Sequence, residues 1–162
     1  MNALLDLARR TMEAARVSNV SIITAESCTA GKLSGLLSEV LGAGADLHGG
    51  FVTYTKAHKT KALGVPTDLL QRKGAVCAEV AEAMAQGALA HSPADIAVAI
   101  TGVAGPEPDE DGNPVGLVCI ALARHGGQSI PIERRYGDIG RDQVCERAMA
   151  DALAHLIAVI EA

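Results

Sequence analysis

The segment TAESCTAG, residues 24–31, places a hydroxyl, a thiol and a carboxylate side by side just before a predicted helix. A β-branched run over residues 20–24 predicts a buried strand before it, and apolar residues at helical spacing over 29–41 predict the helix. Free backbone N–H groups at a helix start favour negative charge. Ser27 is therefore either a nucleophile with backbone donors for an oxyanion or, like Thr29, merely an N-cap residue.

A second segment, YTKAHKTK over residues 54–61, crowds four ionisable side chains behind a tyrosine that ends a predicted strand. One interpretation is a solvated basic face of a surface helix. The other is a lysine that turns inward and acts as a base, which requires its pKa to fall by about 3 units through burial and neighbouring cations. Glu26 would oppose that shift if it came close. From the residue types alone, both interpretations stay open.

A third segment, TGVAGP over residues 101–106, follows an apolar strand predicted over 95–101. Its glycines either form an ordinary tight turn or allow the backbone to approach a ligand such as a phosphate. The spacing matches neither the P-loop nor the dinucleotide-binding pattern.

Other reactive residue types give weaker signals. A helix start favours a thiolate, so Cys28 is a rival nucleophile, although a small buried residue is the alternative interpretation. The five histidines have no metal-ligand spacing, and the acids of residues 107–111 lack the spacing of a calcium loop. The sequence therefore predicts no metal site, and it predicts a solvated acidic loop over 107–114.

Composition limits the partners. The 162 residues carry a net charge of -5 and only three aromatic side chains, which argues against nucleic acid as a partner. No stretch approaches the roughly 20 apolar residues of a membrane span. The first ten residues lack the features of a secretion signal, and the four cysteines are scattered. We therefore expect a cytoplasmic protein that does not bind membranes.

Helical and strand patterns alternate along the chain and then end in a hairpin and a long helix. Helices are predicted over 3–16, 29–41, 57–63, 68–73, 78–90 and 141–161, and strands over 20–24, 50–54, 95–101, 115–124 and 130–136. This order predicts one domain over 1–162, a three-layer α/β/α sandwich with a mixed sheet of about five strands. Ligands of such sheets bind at the carboxyl ends of strands, where the first and third segments lie. Alanine-rich surfaces on the 78–90 and 141–161 helices favour a homo-oligomer.

Seven motifs in this order resemble the CinA carboxy-terminal domain family, over nearly the whole chain. They are AESCTAG (25–31), GGFVTYTKAHK (49–59), LGVP (63–66), GAVCAEVA (74–81), AITGVAGP (99–106), PVGLV (114–118) and GDIGR (137–141). The family's amino-terminal domain has no counterpart here, so the chain looks like a stand-alone form.

The resemblance implies a Ser/Lys amidohydrolase that converts nicotinamide mononucleotide and water to nicotinate mononucleotide and ammonia, in the recycling of pyridine nucleotides. It places the nucleophile on Ser27, the general base on Lys59 and an assisting tyrosine on Tyr54. It implies no cofactor and a small nucleotide as the partner. The residues then expected to bind substrate are Cys28, Thr29, Ala30, Gly31, Thr101, Gly102, Gly105 and Arg141.

Three positions depart from the family's pattern. Lys56 stands where the family usually has asparagine, and Glu107 to Asp111 replace a run that is often glycine-rich. Cys145 stands where an arginine is common, so Arg141 or Arg147 would have to bind phosphate if that arginine does so in the family. Acidic residues near a phosphate would repel it. The alternative function is therefore a non-catalytic nucleotide-binding or interaction domain.

Overall fold

Helices and strands alternate through most of the chain in a computed structural model, which describes residues 2–162. The helices are α1 (Asn2–Ser18), α2 (Lys32–Ser38), α3 (Lys56–Leu63), α4 (Thr67–Lys73), α5 (Ala78–Ala90) and α6 (Arg141–Glu161). The strands are β1 (Ile22–Glu26), β2 (Leu47–Val52), β3 (Ile96–Gly102), β4 (Leu117–Arg124) and β5 (Ile130–Arg135). A short 3-10 helix, Ala43–Ala45, precedes β2.

The five strands form one mixed sheet in the order β2-β1-β3-β4-β5. Strand β1 pairs in parallel with β2 and β3, whereas β4 is antiparallel to both β3 and β5. The carboxyl ends of β1, β2 and β3 therefore meet at one edge of the sheet. The prediction of an α/β fold with a mixed sheet of about five strands is confirmed.

The two faces of the sheet carry different side chains. Isoleucine, valine and leucine from β1, β3 and β4 face the layer of α1, α2 and α6. The other face is rich in alanine and packs against α5, whose own contact residues are mostly alanine, with one valine, one methionine and one leucine. Small residues on both sides let α5 approach the sheet closely. The structure thus has the three layers that the alternating pattern predicts.

Helix α3 is held against α5 at a position that only glycine tolerates. A Cβ atom on Gly87 would lie 2.0 Å from the carbonyl oxygen of Leu63, the last residue of α3. Because glycine lacks that atom, the carboxyl end of α3 can rest directly on α5. This contact fixes the helix that carries Lys59.

The predicted helix over 29–41 is shorter than expected. Helix α2 begins at Lys32 because Ala30 and Gly31 have φ angles of 49° and 91°, in the left-handed region that a right-handed helix excludes. It ends at Ser38. Ser27 therefore lies five residues before α2, and the prediction that it lies at or just before the helix start is wrong.

The other elements agree with the sequence patterns to within a few residues. The largest remaining difference is β2, which begins at Leu47 instead of Gly50 because its first residues pair with β1 despite two glycines. The alanines that favoured a homo-oligomer, such as Ala85 and Ala148, are buried within the chain. No described helix has the length and hydrophobicity to span a bilayer.

Candidate active site

The end of β1 directs two neighbouring polar side chains to opposite sides of the sheet. Successive residues of a strand alternate between its faces, so Glu26 and Ser27 point in opposite directions. Ser27 remains part of the strand pairing, because its N–H donates to the carbonyl of Ile100 at 2.9 Å. Both side chains are buried, Ser27 at 7% exposure and Glu26 at 0%. The two residues thus serve different layers of the molecule.

Lys59 meets Ser27 at this edge. Thr55 caps α3 by accepting a hydrogen bond from the N–H of His58, and Lys59 lies on the first turn of that helix. Its side chain is only 1% exposed, and its Nζ lies 2.9 Å from the Ser27 Oγ. The inward orientation is therefore the one that the structure shows.

The surroundings of Lys59 favour the neutral amine. Burial lowers the pKa of Lys59 from its ordinary 10.5 to about 8, the Cys28 thiol opposes the shift, and the charge of Lys56 adds to it. The hydrogen-bond acceptors around Nζ are uncharged: the Ser27 hydroxyl and the main-chain carbonyls of Thr53, at 2.9 Å, and Tyr54, at 3.5 Å. A substantial neutral fraction is thus available near pH 8.

The same three acceptors suit a neutral amine with its lone pair on Ser27. A neutral amine has two N–H bonds and one lone pair. The carbonyl oxygens of Thr53 and Tyr54 accept the two N–H bonds, which leaves the lone pair for the Ser27 hydroxyl. Nζ lies 2.9 Å from the Ser27 Oγ, a distance at which the lone pair of a neutral amine can accept the serine O–H. This is the geometry of a nucleophile and its general base.

Glu26 caps the start of α2, where the alternative interpretation expected Ser27 or Thr29 as the N-cap residue. Its Oε1 accepts from the Thr29 hydroxyl at 2.7 Å and the Leu33 N–H at 2.9 Å. Its Oε2 accepts from the Thr24 hydroxyl and the Ser34 N–H, both at 3.0 Å. The carboxylate therefore caps α2 with four donors. It is not among the groups that shift the pKa of Lys59.

Ser27 and Lys59 open into a cavity of about 570 Å³ at the sheet edge. Five of the eight residues predicted to bind substrate line it, together with Tyr54: Cys28, Thr101, Gly102, Gly105 and Arg141. The other three, Thr29, Ala30 and Gly31, are not part of its wall. The Thr29 hydroxyl is engaged with Glu26, on the opposite side of β1.

Arg141 crosses the mouth of the cavity from the first residue of α6. Its Nη1 donates to the carbonyl of Gly105 at 2.8 Å, and its Nη2 donates to the Tyr54 hydroxyl at 3.0 Å. Both acceptors are uncharged, and no carboxylate among the described residues pairs with this guanidinium. Arg141 therefore brings an uncompensated positive charge to the cavity.

Tyr54 reaches Lys59 through its main chain. Its carbonyl lies 3.5 Å from the Lys59 Nζ, whereas its hydroxyl bonds to Arg141 and the side chain is 56% exposed. Thr101 is likewise engaged, since its buried hydroxyl donates to the carbonyl of Ala75 at 2.8 Å. These two side chains shape the cavity and hold its wall.

Backbone donors are available beside Ser27. The Ala30 N–H is taken by the Ser27 carbonyl at 3.0 Å. No acceptor for the N–H groups of Cys28 and Thr29 occurs among the described residues. Of these two residues Cys28 lines the cavity, so its N–H group is available to a negatively charged oxygen there.

Cys28 is less suited to nucleophilic attack than Ser27. A hydrogen bond with the Cys145 thiol and burial raise the pKa of Cys28 well above its ordinary value. The Cys145 thiol also donates to the Cys28 carbonyl at 3.6 Å. Cys28 is therefore protonated near neutral pH, and a thiol is a poor nucleophile.

The sequence did not reveal the surroundings of Glu26 or of the acidic residues between 107 and 111. Glu26 received no role, although a carboxylate that ends an apolar strand calls for buried donors. Glu107, Glu110 and Asp111 are exposed, as a solvated loop implies, and Asp109 is half-buried, but all four of these acids also line the cavity. Within the described residues, no cluster of histidine, cysteine or acids has the arrangement of a metal site.

Known proteins share both the sequence and the fold. The nicotinamide-nucleotide amidohydrolase PncC of Pseudomonas putida is 41% identical over 157 residues, which cover 97% of each chain. A CinA-like protein of Mycolicibacterium vanbaalenii is 48% identical over 137 residues, which cover 85% of this chain and 32% of that one. The chain spans about a third of the length of several such CinA-like relatives.

A solved structure gives the same result for the fold. The competence/damage inducible protein CihA of Agrobacterium tumefaciens superimposes with a TM-score of 0.93 at 42% identity, over 98% of this chain and 96% of that one. The family model of the CinA C-terminal domain matches residues 4–160. The chain therefore belongs to the CinA C-terminal domain family.

Proposed function

We propose that this protein is a nicotinamide-nucleotide amidase that acts through Ser27 and Lys59 as a single catalytic domain. The observation that carries the proposal is the contact of 2.9 Å between the Ser27 Oγ and a buried lysine whose pKa lies near 8. The similarity to the Pseudomonas putida PncC over the whole chain supports the choice of nicotinamide mononucleotide as substrate.

The first half of the reaction forms an acyl-enzyme. Neutral Lys59 takes the proton of Ser27 as Oγ attacks the carboxamide carbon. The negative oxygen of the tetrahedral intermediate is bound by the free N–H group of Cys28, which lines the cavity. The Lys59 ammonium then gives its proton to the leaving nitrogen, and ammonia departs.

The second half regenerates the serine. Lys59, neutral again, takes a proton from a water molecule that attacks the acyl carbon. The tetrahedral intermediate collapses, Lys59 returns the proton to the Ser27 Oγ, and the carboxylic acid product leaves as its carboxylate. The carbonyls of Thr53 and Tyr54 hold Nζ in place through both halves. Arg141 binds the phosphate of the nucleotide, because its charge is uncompensated at the cavity mouth.

The direct test is ammonia release from nicotinamide mononucleotide. Purified protein should release ammonia, and Ser27→Ala should abolish release while the variant still unfolds in a cooperative transition. Ser38→Ala, at an exposed serine of α2, is the matched control and should keep full activity. Unchanged release by Ser27→Ala would refute the proposal.

Cys28→Ala separates serine chemistry from thiol chemistry. The variant should retain most of its activity, because the Cys28 thiol is protonated near neutral pH. Loss of activity as complete as that of Ser27→Ala, in a protein that still folds, would favour Cys28 as the nucleophile.

A binding domain without catalysis is the second candidate, and the acidic side chains along the cavity favour it. Four carboxylates between Glu107 and Asp111 line the wall and would repel a phosphate. Calorimetry with a panel of pyridine nucleotides tests this candidate. Binding without any ammonia release would support it and would contradict the amidase.

A further inference from the structure

Lys56 links α3 to the acidic loop (residues 107–114) across the cavity. It is the first residue of α3, and its Nζ lies 2.7 Å from the Asp111 Oδ1 and 3.3 Å from the Glu110 Oε1. All three side chains line the cavity that contains Ser27. One cation of the cavity wall is therefore neutralised by two carboxylates.

Further hydrogen bonds hold the acidic loop in place. The Asp109 Oδ1 accepts from the N–H of Asp111 at 3.0 Å and of Asn113 at 2.8 Å. The Asp111 Oδ2 also accepts from the N–H of Ala75, in the segment between α4 and α5. The carboxylate that binds Lys56 is thus fixed from two directions.

The two other cationic side chains of the cavity wall, Arg141 and Lys59, are not ion-paired with a carboxylate among the described residues. Arg141 bonds only to the uncharged Gly105 carbonyl and Tyr54 hydroxyl, whereas Lys59 is 1% exposed and its Nζ is engaged by Ser27 and the Thr53 carbonyl. Arg141 is therefore the accessible cation that an anionic group meets on entering the cavity. Lys56 becomes available to it only after Asp111 and Glu110 release its ammonium.

We propose that Asp111 and Glu110 withhold Lys56 from the substrate and thereby set how strongly the site prefers a phosphorylated pyridine carboxamide over the nucleoside that lacks the phosphate. In the wild type Arg141 alone binds the anionic group, so the nucleoside is also a substrate. This inference rests on the proposed amidase function for its substrates. It also predicts that the preference can be changed in both directions.

The two partners of the ion pair should shift the preference in opposite directions. The double variant Glu110→Gln/Asp111→Asn frees Lys56 to bind the phosphate and should raise the ratio of kcat/KM for nucleotide over nucleoside about fivefold, as one partly exposed ion pair allows. Lys56→Met leaves two uncompensated carboxylates and should lower that ratio about fivefold. A purely structural role would not move the ratio in opposite directions.

A double-mutant cycle distinguishes release of Lys56 from general charge repulsion. Adding Lys56→Met to Glu110→Gln/Asp111→Asn should lower the raised ratio about fivefold, back to the wild-type value, because the freed Lys56 ammonium is what binds the phosphate. Glu107→Gln is the matched control, because Glu107 lines the cavity and forms no ion pair with Lys56. Its effect should be the same with Lys56 present and with Lys56→Met. A triple variant that keeps the raised ratio would overturn the proposal, because loss of repulsion alone would then account for the increase.

Calorimetry on Ser27→Ala forms of the same variants makes the result independent of turnover. The inference is supported if the ratio of the binding constants for nucleotide and nucleoside changes among these variants in the directions predicted above. This holds even if the wild type releases no ammonia from either compound, a result that would refute only the amidase. Binding of neither compound, or ratios that do not respond to Lys56, would overturn the inference. Ammonia release together with binding ratios that do not change in the Lys56 variants would support the amidase and refute the proposed role of Lys56.

Discussion

Glu26 and Lys59 are two buried charged residues on either side of Ser27, and their surroundings differ in kind. Glu26 is 0% exposed and accepts hydrogen bonds from four donors, two hydroxyls and two backbone N–H groups. Lys59 is 1% exposed, and its partners are a serine hydroxyl and two carbonyls at a cavity wall. Neither has an oppositely charged partner among the described residues.

The comparison distinguishes a buried side chain that stabilises the fold, Glu26, from one that can exchange a proton, Lys59. A carboxylate with four donors has its hydrogen-bonding capacity satisfied and anchors the helix that supplies two of them. An amine desolvated against neutral acceptors loses much of its affinity for a proton. The fold therefore satisfies Glu26 fully and leaves Lys59 ready to exchange a proton with its neighbour.

The largest expected effect is on catalysis at Lys59. Lys59→Met should lower the rate of ammonia release by about 10³-fold or more, since it removes the general base. The variant should be at least as stable as the wild type at pH 7, because no ammonium then has to be buried. Steady-state kinetics and urea unfolding measure the two effects. Lys61→Met, at an exposed lysine of the same helix, should keep its activity within about twofold.

The pH dependence of stability gives a second contrast between wild type and Lys59→Met. The unfolded chain holds the Lys59 proton up to pH 10.5, whereas the folded protein releases it near pH 8. Between these values the unfolded state binds more protons, so raising the pH through this window favours the folded state. The wild type should gain about 3 kcal/mol relative to Lys59→Met from pH 7 to 10.5. If the free energies of unfolding of wild type and Lys59→Met changed in parallel with pH, the lowered pKa of Lys59 would be contradicted.

Glu26→Gln tests the structural half of the comparison. The amide keeps the shape of the side chain but has one acceptor oxygen in place of two, so buried donors at the start of α2 lose their partner. We expect a loss of about 2 kcal/mol in the free energy of unfolding, measured with urea. Glu13→Gln, an exposed acid on α1, should change it by less than about 0.5 kcal/mol. Equal effects of the two changes would mean that the cap of α2 contributes little.

Tyr54→Phe should have the smallest effect. The Tyr54 hydroxyl contacts Arg141, whereas the contact with Lys59 comes from the main-chain carbonyl, which the substitution keeps. We expect KM for the nucleotide to rise by up to about tenfold, with little change in kcat. A large fall in kcat with KM unchanged would indicate that the hydroxyl takes part in proton transfer.

Local patterns predicted the scaffold better than the site. Helix α5 over 78–90 and the apolar strand β3 were predicted almost to the residue, because each has a continuous pattern with a single interpretation. Helix α2 was predicted too long, since its apolar spacing extends through Ala30 and Gly31, which adopt left-handed backbone. The spacing of apolar residues does not indicate which residues adopt a left-handed backbone conformation.

The site depended on contacts between distant parts of the chain. The resemblance to the family singled out Lys59 among four ionisable neighbours, but its burial follows from the packing of α3 on α5. The donors to Glu26 lie up to eight residues away, and the ion pair of Lys56 with Asp111 spans 55 residues. Such pairings arise only when the layers assemble, so no local pattern could have predicted them.

Titration of the Lys59 amine tests the central claim most directly. In protein labelled with ¹³C at lysine, the Lys59 Cε signal, assigned by its absence from Lys59→Met, should report a pKa of about 8, and kcat/KM should rise about tenfold per pH unit below that value. A Lys59 signal that titrates near 10.5, with activity independent of pH between 6 and 9, would contradict the account.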